Sequence, residues 1–167
     1  ELLFVVEREA DGREPSVRCI NFGLDGMQSF SFTLEEERSA VLVPAGQVGT
    51  YLYEPNASVL KAGAFKQIAV RTGVKKLQVN SHLYTADHLV SDFPGRRFRV
   101  DEVLSFTGKL CKGLSKTIPQ ANITVRNFPL SVEELRKRTK ITDGGHVYLF
   151  ATTLVDGEKV LVKCSKA

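Results

Sequence analysis

Residues 121–164, ANITVRNFPLSVEELRKRTKITDGGHVYLFATTLVDGEKVLVKC, constrain the fold most, because strand, capped-helix and hairpin signals follow one another there without a gap. Leu130 precedes Ser131 and Glu134 follows three residues later, so the Ser131 hydroxyl can cap a helix while Glu134 reaches back to the Ser131 amide. Leu130 and Leu135 then stand as the hydrophobic staple of that helix start. After Asp143-Gly144-Gly145 the apolar period changes. HVYLFATTLV and KVLVKC flank Asp156-Gly157-Glu158, where Asp-Gly supplies the backbone freedom of a hairpin turn. The spacing predicts one β-α-β-β unit with a basic helix in its middle and no catalytic motif.

The rest of the chain reads as shorter elements. Strands are expected over 2–6, 16–22 and 28–33, the last because Phe30 and Phe32 alternate with polar residues. TYLYEP reads as another strand, and Pro55-Asn56 opens a helix expected to run to Thr72, closed by Gly73 in a left-handed cap. Strand-like pieces follow around KKLQV and HLYT. Asp92-Phe93-Pro94-Gly95 marks a turn, RRFRVDEVLSF a strand, and 109–116 a short helix ended by Pro119. Connections that are mostly local and compatible with antiparallel pairing favour an α+β fold of two small lobes over a doubly wound sheet. The boundary is placed at 92–95, giving lobes of residues 1–93 and 94–167.

Length and composition bound the function. With 167 residues and 43% apolar content the chain can bury a core. No apolar run approaches the roughly 20 residues of a membrane helix, and ELLFVVEREADG lacks the features of a signal peptide. Cys19, Cys111 and Cys164 are odd in number and widely spaced, which supports neither a disulfide framework nor a zinc site and points to reduced thiols in a cytoplasmic protein. ELLFVVE begins as a buried strand without a methionine, so the chain is expected to be a piece of a longer polypeptide with an N-terminal partner. Net charge is unevenly spread. Residues 1–44 hold four arginines against nine acids, a balance of −5, which leaves +9 for the remainder of a chain whose total is +4. That split suggests a C-terminal part facing a polyanion and an acidic docking part, against ordinary surface solvation as the alternative.

Enzyme signatures are missing from the sequence: no phosphate loop, dinucleotide glycine pattern, H-E-x-x-H or G-x-S-x-G occurs. His82, His88 and His146 are scattered, so no metal site is expected. Binding remains. Lys75 and Lys76 follow the central helix, Arg96, Arg97 and Arg99 open the second lobe, and Arg126 with Arg136, Lys137, Arg138 and Lys140 flanks the capped helix. Such groups can track a phosphate backbone, although acids in a first helical turn and bases in a last turn also suit the helix dipole without any ligand. In a strand, Arg97 and Arg99 share a face that Arg96 does not. Tyr84, Phe93 and Phe98 are either base-stacking surfaces or core. Lys61 projects from a stripe of Ala57, Ala64, Phe65 and Ile68; it either snorkels or pairs with a carboxylate such as Glu54, or it is a fixed cation for a phosphate or a domain interface. Gly63 suggests a close helix-to-backbone approach.

The strings YLYEPNASVLKAGAF, NSHLYT, DFPGRRFRV, ANITVRNFPLSVEELRK and DGGHVYLFATT with DGEKVLVKC resemble, in the same order, the C-terminal region of Bacteroidetes-type class I S-adenosylmethionine-dependent methyltransferases. The resemblance runs from about Leu2 to Cys164. It implies a ferredoxin-like mixed sheet, beginning with the strand that leaves a missing methyltransferase domain, followed by a THUMP-like β-α-β-β unit. THUMP domains are associated with RNA, tRNA in particular, so it also implies an appendage that presents RNA to a catalytic domain. The fragment itself would hold no cofactor, S-adenosylmethionine belonging to the missing domain, and its partners would be RNA and that domain, with no membrane. Polar residues shared with the family, by this likeness, are Glu54, Asn56, Lys61, Asn80, His82, Arg96, Arg126 and Asn127. The alternative is a lobe that docks on the catalytic domain or mediates dimerisation without binding nucleic acid.

Overall fold

Strict alternation builds the first elements. Ser16–Gly23 (β1) and Gly26–Thr33 (β2) pair antiparallel, with Cys19 opposite Phe30 on their buried side. The computed structural model describes residues 3–6, 12, 14–23 and 26–167. Thr33 caps Leu34–Ser39 (α1) in a reciprocal capping box with Glu36. Then come Tyr51–Pro55 (β3), Ala57–Ala62 (α2), Gln67–Thr72 (α3), Lys75–Lys76 (β4), Tyr84–Ala86 (β5) and Gly95–Ser105 (β6). Gly108–Thr117 (α4), Asn122–Val125 (β7), Val132–Thr139 (α5), Tyr148–Thr153 (β8) and Lys159–Lys166 (β9) complete the chain.

Seven strands form one mixed sheet in the order β4-β5-β3-β6-β9-β8-β7, in which only β7 and β8 pair parallel. The long β6 joins the two lobes. Its first half pairs with β3 and its second half with β9, and a register shift between Val100 and Glu102 bends it between them. Side-chain alternation then defines three cores. One sheet face carries Tyr53 and Tyr84 under α2, α3 and the β1–β2 ribbon, and farther along the same face Leu149, Ala151 and Leu161 under α4 and α5. The opposite face carries Leu52, Phe98, Phe150, Val160 and Val162, closed by Leu77 and Leu83 from the segment between β4 and β5. Phe98 packs edge-on to Phe150 with ring centres 4.8 Å apart.

The expectation of an α+β fold with two lobes, the second a β-α-β-β unit, is what the structure contains. Several local expectations change. The helix expected up to Thr72 is two helices, because Gly63 takes a left-handed conformation (φ 74°) and its N–H turns back to Leu60 and Val59. A Cβ at Gly63 would meet nothing within 4 Å, so the residue serves as a cap and not as a close approach. That break removes the stripe on which Lys61 stood; Lys61 is exposed and in no ion pair among the described residues. Residues 3–6 of the strand expected over 2–6 form no strand and are exposed, since no neighbouring strand offers them a ladder; Leu2 lies outside the described residues. No helix among the described residues is long and apolar enough to cross a membrane.

Two measurements follow from this packing. A Cβ at Gly95 would stand 2.8 Å from Pro55 Cα and press on the Glu54 carbonyl oxygen, both backbone, so Gly95→Ala should lower stability by about 2 kcal/mol or more in denaturant unfolding. All three thiols are free and buried, and burial pushes Cys164 up to about 12. Native protein at pH 7.5 should therefore resist alkylation by iodoacetamide at Cys19, Cys111 and Cys164, and all three should react once it is unfolded.

Candidate nucleic-acid interface

Glu54, at the end of β3, is 3% exposed, and a carboxylate that deep needs partners. It has two. Arg96, at the start of β6, donates from Nε to Oε2 at 2.8 Å and from Nη2 to the same oxygen. Arg126, just past β7, donates from Nε and Nη2 to Oε1 at 3.1 and 2.8 Å. Arg96 also lies over the Phe98 ring, 5.4 Å from its centre. In the sheet, β3 and β7 are separated by β6, β9 and β8 and run in opposite directions. A flat sheet would hold them roughly 19 Å apart at four spacings of about 4.8 Å. The Glu54–Arg126 contact exists because the sheet coils until the end of β3 and the end of the edge strand β7 meet.

His82 and Lys76 adjoin this corner. Lys76, expected as a phosphate contact, is 3% exposed; its Nζ donates to the Val79 carbonyl at 2.7 Å and lies over the Phe65 ring, so it is used inside the fold. Burial lowers its pKa, opposed by Glu37. His82 stacks on Phe65 with ring centres 4.1 Å apart, and its Nδ1 is buried without a hydrogen-bond partner among the described residues, as is Thr152 Oγ1. Burial first, then the charges of Lys76 and Arg126, lowers the His82 pKa.

The other candidates are dispersed. Arg97 and Arg99 lie on the helix-bearing face of β6, opposite Arg96, as strand alternation requires. Arg97 donates to the Ser91 carbonyl, whereas Arg99 is exposed. Between the α2–α3 layer and the α4–α5 layer, Arg99, Lys163 and Ser165 line a strip of this face together with two exposed acids, Asp101, which accepts from Ser165 Oγ at 3.1 Å, and Glu102, opposite Lys163 in the ladder. Lys163 was not anticipated, because its place beside β6 follows from strand register alone. Arg136 is tied to Asp143 and to the Ile141 and Ala121 carbonyls. Lys137, Arg138, Lys140 and Lys75 are exposed. Tyr84, Phe93 and Phe98 are buried in the cores and offer no surface for a base.

Family-shared polar residues divide likewise. Asn56 caps α2, accepting from Val59 N at 3.1 Å. Asn80 sits in the turn after β4, and Asn127 holds a left-handed conformation (φ 51°) after Arg126. A cleft of about 560 Å³ lined by Gly46, Gly49, Lys75, Asp87 and His88 lies away from the Glu54 corner. No group of three or more His, Cys, Asp or Glu among the described residues is placed to hold a metal.

The corner makes three predictions. Arg96→Ala should cost about 1 kcal/mol, since that guanidinium is half exposed and Arg126 still covers Glu54. The double variant Arg96→Ala/Arg126→Ala should cost at least about 1 kcal/mol more than the two single losses together, because it leaves a buried carboxylate without a cation; a double-mutant cycle of unfolding free energies checks this. His82 favours its neutral form in the fold. Its contribution to stability is therefore full above the unfolded value near about 6.5 and is lost as pH falls toward the lower folded value. His82→Gln should flatten the decline in stability between pH 7.5 and 5 measured by thermal unfolding.

Comparison with known proteins matches this architecture. Residues 51–94 match a ferredoxin-like domain family, and residues 95–166 match a family described as THUMP domain-like. The crystal structure of a "putative methyltransferase" from Porphyromonas gingivalis W83 is 47% identical and superposes with a TM-score of 0.87 over 91% of this chain. The present chain spans 38% of that protein. No curated protein matches it. The ferredoxin-like match thus ends, and the THUMP domain-like match begins, at the start of β6, which lies wholly in the second match and pairs with β3 of the first.

Proposed function

We propose that this chain binds RNA, tRNA in particular, and presents it to a methyltransferase domain carried by the longer protein. The observation that supports this most is that the ferredoxin-like and THUMP-like residues share one sheet through β6, so RNA held by either is held rigidly with respect to both. The exposed cations Lys137, Arg138 and Lys140 supply sites for backbone phosphates, and Arg99 and Lys163 supply two more beside the acids Asp101 and Glu102. Catalysis and S-adenosylmethionine are assigned to the separate domain and not to residues 1–167. The setting is cytoplasmic.

A second reading has its own observation. Ile20, Phe22 and Met27 lie on the outer side of the β1–β2 ribbon, exposed by 42%, 81% and 56%. An apolar outer side suits docking on another domain, and the chain then serves as a structural lobe.

Titration of the 167-residue chain with total tRNA at two salt concentrations separates the readings. Binding should weaken steeply with salt, and Arg99→Glu combined with Lys163→Glu should weaken it about tenfold. No binding, or binding indifferent to salt, would leave the docking lobe as the better reading.

A further inference from the structure

We infer that Arg96 and Arg126 form a clamp for one backbone phosphodiester, seated where the ferredoxin-like and THUMP-like domains meet. The inference rests on the RNA-binding reading and goes beyond it by naming the site and the group bound.

One buried carboxylate holds two guanidiniums. Glu54 is 4% exposed in its side chain, whereas Arg96 and Arg126 are 54% and 39% exposed, so the acid lies beneath and both cations stand above it at the surface. A single arginine suffices to neutralise a buried carboxylate. The second leaves the cluster with a net charge of +1 and sets two like charges around one acid. Each guanidinium carries five N–H donors. Arg96 and Arg126 spend Nε and Nη2 on Glu54, and neither Nη1 has a partner among the described residues. The forks are already immobilised, Arg96 also by the Phe98 ring beneath it, so a ligand meets donors whose ordering cost has been met in folding.

Charge selects the ligand. A phosphodiester brings one negative charge and neutralises the cluster, whereas a phosphomonoester brings about −1.5 to −2 and overshoots it. The site draws Glu54 and Arg96 from the two domains at their junction and Arg126 from the far corner of the sheet, so a phosphate bound there reports the assembled fold.

The test is a titration of the 167-residue chain with dimethyl phosphate, followed by the arginine Nε–H resonances. The Arg96 and Arg126 signals should shift saturably while those of Arg99 and Arg138 move several-fold less. Equal movement at all four, no movement at Arg96 and Arg126, or tighter binding of inorganic phosphate than of the diester would overturn the clamp. A second arm uses Arg96→Gln, which leaves Glu54 paired with Arg126 and whose folding is checked by its unfolding midpoint. Its tRNA affinity should fall about tenfold, with a salt dependence shallower by about one phosphate contact. An unchanged salt dependence overturns the clamp but leaves RNA binding standing. Absence of any RNA binding overturns the function proposed above, and the diester titration then still decides the clamp.

Discussion

The buried carboxylate of Glu54, held between Arg96 and Arg126, depends on the coiling of the sheet and in turn fixes it. The three residues come from β3, β6 and the position just past β7, and Glu54 and Arg126 are separated by 72 positions in sequence. Burial of a charged group is costly unless it is paired and hydrogen-bonded; Arg96 pairs Glu54 from the adjacent strand, and the second pairing, with Arg126, favours the sheet curvatures that bring Arg126 to it. The bend in β6 at the Val100/Glu102 register shift supplies curvature locally, and the apolar face bearing Phe98 and Phe150 fills the hollow side. Polar pairing at the corner and apolar packing in the hollow select the same geometry.

That geometry joins two domains of this size in one sheet. The residues matching the ferredoxin-like family include β3 and β5, and those matching the THUMP-like family begin with β6, yet β6 is paired along both edges. No linker separates them. Movement of one domain against the other would break a ladder of backbone hydrogen bonds and the ion pairs at the corner together. The strip between the helical layers, with Arg99, Lys163, Asp101 and Glu102, runs across the same junction.

Charge along the sequence proved a poor guide to charge on the surface. Lys76 follows exposed Lys75 in a two-residue strand, and alternation sends it inward onto Phe65. Arg136 closes the last turn of α5 onto Asp143 and neighbouring carbonyls, while Lys137 and Arg138 on the same helix stay open. The aromatic candidates Tyr84, Phe93 and Phe98 went to the cores, as their size and apolar surface favour.

Local chemistry was legible in the sequence wherever the partners lie within one turn or one hairpin. The Ser131–Glu134 capping box forms as read, with Glu134 accepting from Ser131 N at 2.8 Å, and the Asp156-Gly157 turn and the Gly73 cap follow from side chains and backbone freedom a few residues apart. Thr33 and Glu36 carry the same helix-start signal before α1, although that helix was not anticipated. Gly63 was read as a close approach and is a cap, because only the path of the chain shows whether a glycine within a helical pattern meets another backbone or ends the helix. The meeting of Glu54 with Arg126, the burial of Lys76 and the place of Lys163 beside β6 were decided by tertiary structure alone. They depend on strand order, register and coiling, which arise from packing between segments far apart in the chain and leave no periodic trace within any one of them.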